Sequence, residues 1–242
     1  LALVACEAEN PEGCKESGCP DGQVCDTTAQ DGICVPSSCG CDEDTGEWTC
    51  TEDCGGGVCV EPAPETGIRV ELVWDTPGDD DQTDEGPEAG ADLDLHFTHP
   101  FAVGGDGLGW FDQPFDCFWF NPTPNWASLD PTIDDDPEML VDDTDGAGPE
   151  IVVLPLPEDG QTYRVGVHTW SDHGFGVSFA TVKIYINGEL VEQIPEDGPG
   201  LALEDKDMWE VATIAWPSGE VTELQTDGGG PVVISDYEMA GP

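Results

Sequence analysis

The chain has 242 residues, with 53 Asp and Glu against five Lys and Arg, and a formal net charge of -48. Such a field repels nucleic acid and anionic membrane surfaces, which excludes a role in tracking phosphates. Eight Trp, eight Phe and several alternating runs distinguish it from a disordered polyanion, and the length suits one sizeable domain with a small module attached. The acidity fits divalent cations, a salty habitat, or both.

The chain opens Leu1-Ala2-Leu3-Val4-Ala5-Cys6, and Leu3 to Cys6 resembles a bacterial lipobox, which would make Cys6 the lipidated first residue of the mature protein. The other reading makes Cys6 an ordinary disulfide partner. Residues 1–13 are then a lipobox remnant and a polar tether. Eleven cysteines, ten of them within the first 59 residues, point to an oxidising compartment and a disulfide-rich module over residues 14–60. So short a segment buries little apolar surface, and disulfides take the place of a core. The competing reading is zinc on Cys39, Cys41, Cys50 and Cys54, disfavoured in an exported module without His. The stretch resembles Cys-rich modules of exported bacterial proteins. If Cys6 carries lipid, Cys117 is expected to pair with one of the nine cysteines from Cys14 to Cys59; otherwise Cys6 pairs inside the module and Cys117 is free.

Residues 61–67 form a Pro-rich linker, and the domain proper is expected over residues 68–242. Ile68, Val70, Leu72 and Trp74 alternate as one face of a first strand. An acidic loop over residues 77–91 leads into Asp92-Leu93-Asp94-Leu95-His96-Phe97, which as a strand sends Leu93, Leu95 and Phe97 to one face and Asp92, Asp94 and His96 to the other. Two carboxylates at roughly 4 to 7 Å repel by about 2 to 4 kcal/mol at an effective dielectric near 20, and with so few Lys and Arg a bound cation is the expected neutraliser. Residues 101–140 lack a long periodic run but carry a cluster of aromatic rings. They are expected to form a lid on the sheet, with Trp110, Trp119 and Trp126 as a candidate ligand surface for a sugar or another apolar group. Asp142, Asp143, Asp145 and Glu150 then lie on a Gly-bent loop before the apolar run Ile151 to Leu156. Further strands follow around residues 163–168, 180–186, 189–194, 209–216 and 221–224, with Asn187-Gly188 as a two-residue hairpin turn. About nine strands and no amphipathic helix give an all-β fold, an antiparallel β-sandwich or jelly roll.

The order DLDLHFTHP, DDTDGAGPE, YRVGVHTW and ATVKIYINGEL resembles the YfaP-like β-sandwich domains of exported bacterial proteins over roughly residues 68–195, and more loosely the calcium-binding tellurium-resistance domains. The second likeness implies Ca²⁺ held by Asp92, Asp94, Asp142, Asp143, Asp145 and Glu150. Hard oxygen ligands in that number suit this ion.

These readings converge on a non-catalytic, calcium-binding lipoprotein domain, outside the cytoplasm and either anchored at the outer membrane or secreted. Its partner would be a protein or glycan at the cell surface, with no nucleic acid, and it would touch membrane only through the lipid. One alternative is a calcium-dependent carbohydrate-binding module. The other is a metal-dependent hydrolase with Asp94, His96 and His168 on a transition metal, although no H-E-x-x-H or G-x-S-x-G motif is present.

Overall fold

The computed structural model describes residues 66–82, 86, 89–130, 132–144 and 146–239, together with the backbone of four short strands between residues 23 and 50. The chain divides into two compact units, Leu1–Pro62 and Ala63–Pro242. In the first, β1 (Gln23–Asp26) pairs antiparallel with β2 (Ile33–Pro36) and β3 (Cys39–Cys41) with β4 (Trp48–Cys50). The registers set Cys25 opposite Cys34 and Cys39 opposite Cys50. Cys6, the tether and the side chains of the Cys-rich module lie outside the described residues.

The second unit is all-β, and its described residues contain no helix. It has twelve strands: β5 (Ile68–Asp75), β6 (Asp92–Thr98), β7 (Asp116–Cys117), β8 (Glu138–Val141), β9 (Glu150–Leu154), β10 (Thr162–Ser171), β11 (Ser178–Ile186), β12 (Glu189–Ile194), β13 (Leu201–Leu203), β14 (Met208–Ala215), β15 (Glu220–Glu223) and β16 (Val232–Ile234). They form two six-stranded antiparallel sheets. One runs β15-β14-β10-β6-β7 with β16 added beside β14, and the other β12-β11-β5-β9-β8 with β13 added beside β11. Alternating residues from both sheets meet in one apolar cluster: Val70, Leu72 and Trp74 of β5, Leu93, Leu95 and Phe97 of β6, Val165 and Val167 of β10, and Val182 and Ile184 of β11. The result is sandwich-like. The β11–β12 hairpin closes through Asn187 (φ 51) and Gly188 (φ 81), the two positive φ values a type I′ turn needs.

Four strands, β7, β8, β13 and β16, were not legible as periodic runs. Each has four residues or fewer and pairs with a single neighbour, too short to show an alternation.

The segment over residues 101–140 is the expected lid. It covers the outward face of β6, so all seven residues of that strand are buried, not only the apolar three. Cys117 fits the second of the two expectations for it: its thiol is free and wholly buried in the shared core, where Sγ donates to the Pro122 carbonyl at 3.4 Å.

Candidate metal centre

β6 is paired by β10 along its whole length, from Asp92 to Thr98, but by β7 only at Phe97 and Thr98. The second edge of its first half therefore has no strand beside it. There the Leu95 N–H donates to Glu150 Oε2, at 2.5 Å, from the first residue of β9 in the other sheet. A backbone donor that a missing strand would orphan thus draws a carboxylate across to β6.

Trp74 holds both acidic segments in place. Its backbone N–H donates to the Ala147 carbonyl and its indole N–H to the Ala91 carbonyl, each at 3.0 Å, so the end of β5 fixes the loop before Glu150 and the residue before Asp92. Gly148, at φ +84, lets the loop pass over β5: a Cβ there would lie 2.9 Å from Leu72 O and 3.0 Å from the Trp74 ring.

The outcome is a cluster. Asp94, Asp142 and Glu150 each offer a carboxylate oxygen within 4.8 Å of the others. Asp94 is 3 % exposed, Glu150 is wholly buried and Asp142 is exposed. Asp92, 8 % exposed, joins Asp94, Asp142, Thr144, Trp119 and Trp170 in lining a recess of ≈ 130 Å³. Asp143 adds its charge to the field at Asp92, and Asp145 lies outside the described residues.

The electrostatics of this group are unfavourable as it stands. Burial, followed by the charges of Asp94, Asp142 and Asp143, pushes the Asp92 carboxyl up to about 8, with Lys206 opposing. Burial foremost, then Asp94, raises Glu150 well above the usual carboxylate range. Burial also raises Asp142, opposed by its hydrogen bond with Glu150 and reinforced by Asp94. Asp92 Oδ1, Asp94 Oδ2 and Glu150 Oε1 are buried without a hydrogen-bond partner, although His168 Nδ1 stands 3.7 Å from Asp94 Oδ2. A buried polar atom left in this way costs about 1 to 3 kcal/mol. Among the described residues no Lys or Arg forms an ion pair with Asp92, Asp94, Asp142 or Glu150.

No family model, curated protein or solved structure matches the chain. The chemistry of the site is therefore read from its own donors. All three are hard carboxylate oxygens, the ligand type that suits a divalent cation such as Ca²⁺, Mg²⁺ or Mn²⁺.

The histidines take other roles. His96 Nδ1 is 2.7 Å from Asp116 Oδ2, and the ring stacks on Phe118 with centroids 5.1 Å apart. His168 donates Nε2–H to the Tyr237 carbonyl at 2.9 Å, since a carbonyl can only accept. Asp94, His96 and His168 do not converge as a metal-binding set among the described residues.

Two of the three candidate ligand-surface rings also need correction. Trp110, 2 % exposed, lies against Gly166 and under the Arg164 guanidinium, 4.4 Å from the ring, and its indole N–H donates to Glu210. Trp126, 3 % exposed, stacks on Tyr163 in the shared core. Burial of their area in the lid and core outweighs exposure of a stacking face. Trp119 stays half-buried at the recess, joined by Trp170, which the sequence reading missed. Trp170 stands two residues beyond His168 on β10, so its place beside Asp92 could be read only with the β6–β10 register in hand.

Proposed function

We propose that residues 68–242 form a non-catalytic, calcium-stabilised β-sandwich domain, YfaP-like over roughly residues 68–195, displayed outside the cytoplasm at the cell surface. Calcium would be held by Asp94, Asp142 and Glu150, with Asp92 beside them. The observation that carries this reading is the approach of carboxylates from two sheets to within 4.8 Å, with buried oxygens that nothing else satisfies. A cation there cancels the repulsion and ties β6 of one sheet to β9 of the other, giving the domain a dependence on extracellular calcium. The likeness to calcium-binding tellurium-resistance domains supports the same ion. The ten cysteines before residue 60 support an oxidising compartment.

Thermal melts in chelator, in calcium and in sodium chloride of matched ionic strength test the site. Extracellular modules bind calcium at about 10⁻⁴ to 10⁻³ M, and a ligand at 100 times its dissociation constant adds about 2.7 kcal/mol, roughly 5 to 10 °C for a domain of this size. Asp94→Asn is expected to melt higher than the native chain in chelator, because one repelling charge is gone, and to lose the calcium increment. An equal increment in both proteins would mean diffuse screening of the -48 charge and would overturn the reading.

A further inference from the structure

We infer that the recess beside the cation binds a neutral sugar residue, with hydroxyl oxygens on the ion and the ring against Trp119 and Trp170. The inference rests on the calcium reading above and names the class of partner. Calcium takes six to eight oxygen ligands. Asp94, Asp142 and Glu150 each bring one oxygen to the common point, and Glu150 Oε2 is already held by the Leu95 N–H, so with one ligand atom from each several coordination positions are left to Asp92 and to outside oxygens. Asp92, Asp94 and Asp142 line the recess, and its volume of ≈ 130 Å³ directs those positions into a space that suits one edge of a sugar ring.

The wall of the recess supplies the apolar half of the contact. Trp119 and Trp170 meet edge to face, with centroids 5.4 Å apart and planes at 67°, and both are half-buried, unlike Trp110 and Trp126. A half-buried indole pair beside unpartnered polar groups is the mixed surface a sugar requires, with C–H faces for the rings and hydroxyls for the polar groups.

Charge narrows the class. Lys206 is tied to the Trp170 carbonyl and stands 5.0 Å from the Trp170 ring centre, beside a residue that lines the recess. Calcium and Lys206 together bring three positive charges to four ionised carboxylates. The site stays negative within a chain of charge -48, which rejects phosphate, sulfate and carboxylate ligands, while a cationic ligand would compete with calcium. Neutral polyols are what remain.

The test uses the full chain and a panel of methyl glycosides and tetrasaccharides of mannose, galactose, glucose, fucose and xylose. Binding is read by calorimetry in calcium and in chelator. At least one sugar is expected to bind saturably in calcium only. Trp119→Ala and Trp170→Ala should each weaken it by about tenfold, while the calcium increment in the melting temperature is kept. A calcium increment with no sugar bound from the panel, binding that survives chelator, or binding indifferent to both Trp substitutions would overturn the sugar reading and leave the metal site standing. Absence of the calcium increment in the native chain would overturn both.

Discussion

In chelator, the melting temperature is expected to fall as the pH is raised from about 5 to about 8, and calcium is expected to abolish or reverse that fall. Asp92, with its carboxyl pushed up to about 8, and Glu150 and Asp142, raised in the same direction, hold protons in the folded state over a range in which the unfolded chain has released them. The unfolded values lie near 3.9 for Asp and 4.3 for Glu. Between those values and the folded ones the native state binds more protons than the unfolded state, so stability decreases with rising pH, and the full cost is present above the folded values. For Asp92 alone this amounts to several kcal/mol, a large part of a typical net stability of about 5 to 15 kcal/mol. Calcium binds the ionised carboxylates and takes the place of the protons, so its increment should grow with pH. Melts at three pH values, with and without calcium, check this. A melting temperature in chelator that rises steadily toward pH 8 would show that the cluster is not strained.

Replacing Asp116 by Ala is expected to destabilise the domain by about 2 to 6 kcal/mol, because it leaves two hydrogen-bonding groups without their partner at about 1 to 3 kcal/mol each. Asp116 is wholly buried on β7, and its Oδ2 lies 2.7 Å from both His96 Nδ1 and the Phe111 backbone nitrogen. The first contact fastens β7 to the outward face of β6, and the second anchors the aromatic segment above it. His96 also meets Phe111 edge to face at 4.6 Å and stacks on Phe118. Truncation would leave the buried His96 ring nitrogen and the part-buried Phe111 N–H without an acceptor. Asp116→Asn, which keeps an acceptor oxygen, should lose about half as much. Urea midpoints followed by Trp fluorescence measure both variants. An Ala variant within about 0.5 kcal/mol of the native chain, the range of ordinary surface substitutions, would contradict the role given to this pair.

The central strand was the most legible part of the chain. Alternation assigned Leu93, Leu95 and Phe97 to the core and Asp92, Asp94 and His96 to the opposite face, and the strand is built that way. The loop ending in Glu150 was legible because Gly and Pro bend it immediately before an apolar run. What alternation could not show is that the acidic face is itself buried, because the segment covering it has no period to read. Composition required the rings of residues 101–140 to find cover, yet only the tertiary arrangement decides that Trp110 rests on Gly166 and Trp126 on Tyr163 while Trp119 reaches the recess. Strand order was likewise hidden. The edge of β6 that β7 leaves open, and the turn of Glu150 toward Leu95, follow from pairings between segments distant in sequence.

Terbium luminescence excited through the indoles tests the cation site most directly. This hard, oxygen-seeking ion emits strongly under such excitation only when bound close to a Trp, and Trp119 and Trp170 line the same recess as Asp92, Asp94 and Asp142. Sensitised emission is expected to saturate in the native chain and to be displaced by calcium. It should be lost in Glu150→Gln, which preserves the acceptor for the Leu95 N–H but removes a ligand charge, and reduced in Trp170→Phe. Emission that calcium fails to displace, or that persists unchanged in Glu150→Gln, would contradict a calcium site at the meeting of β6 and β9.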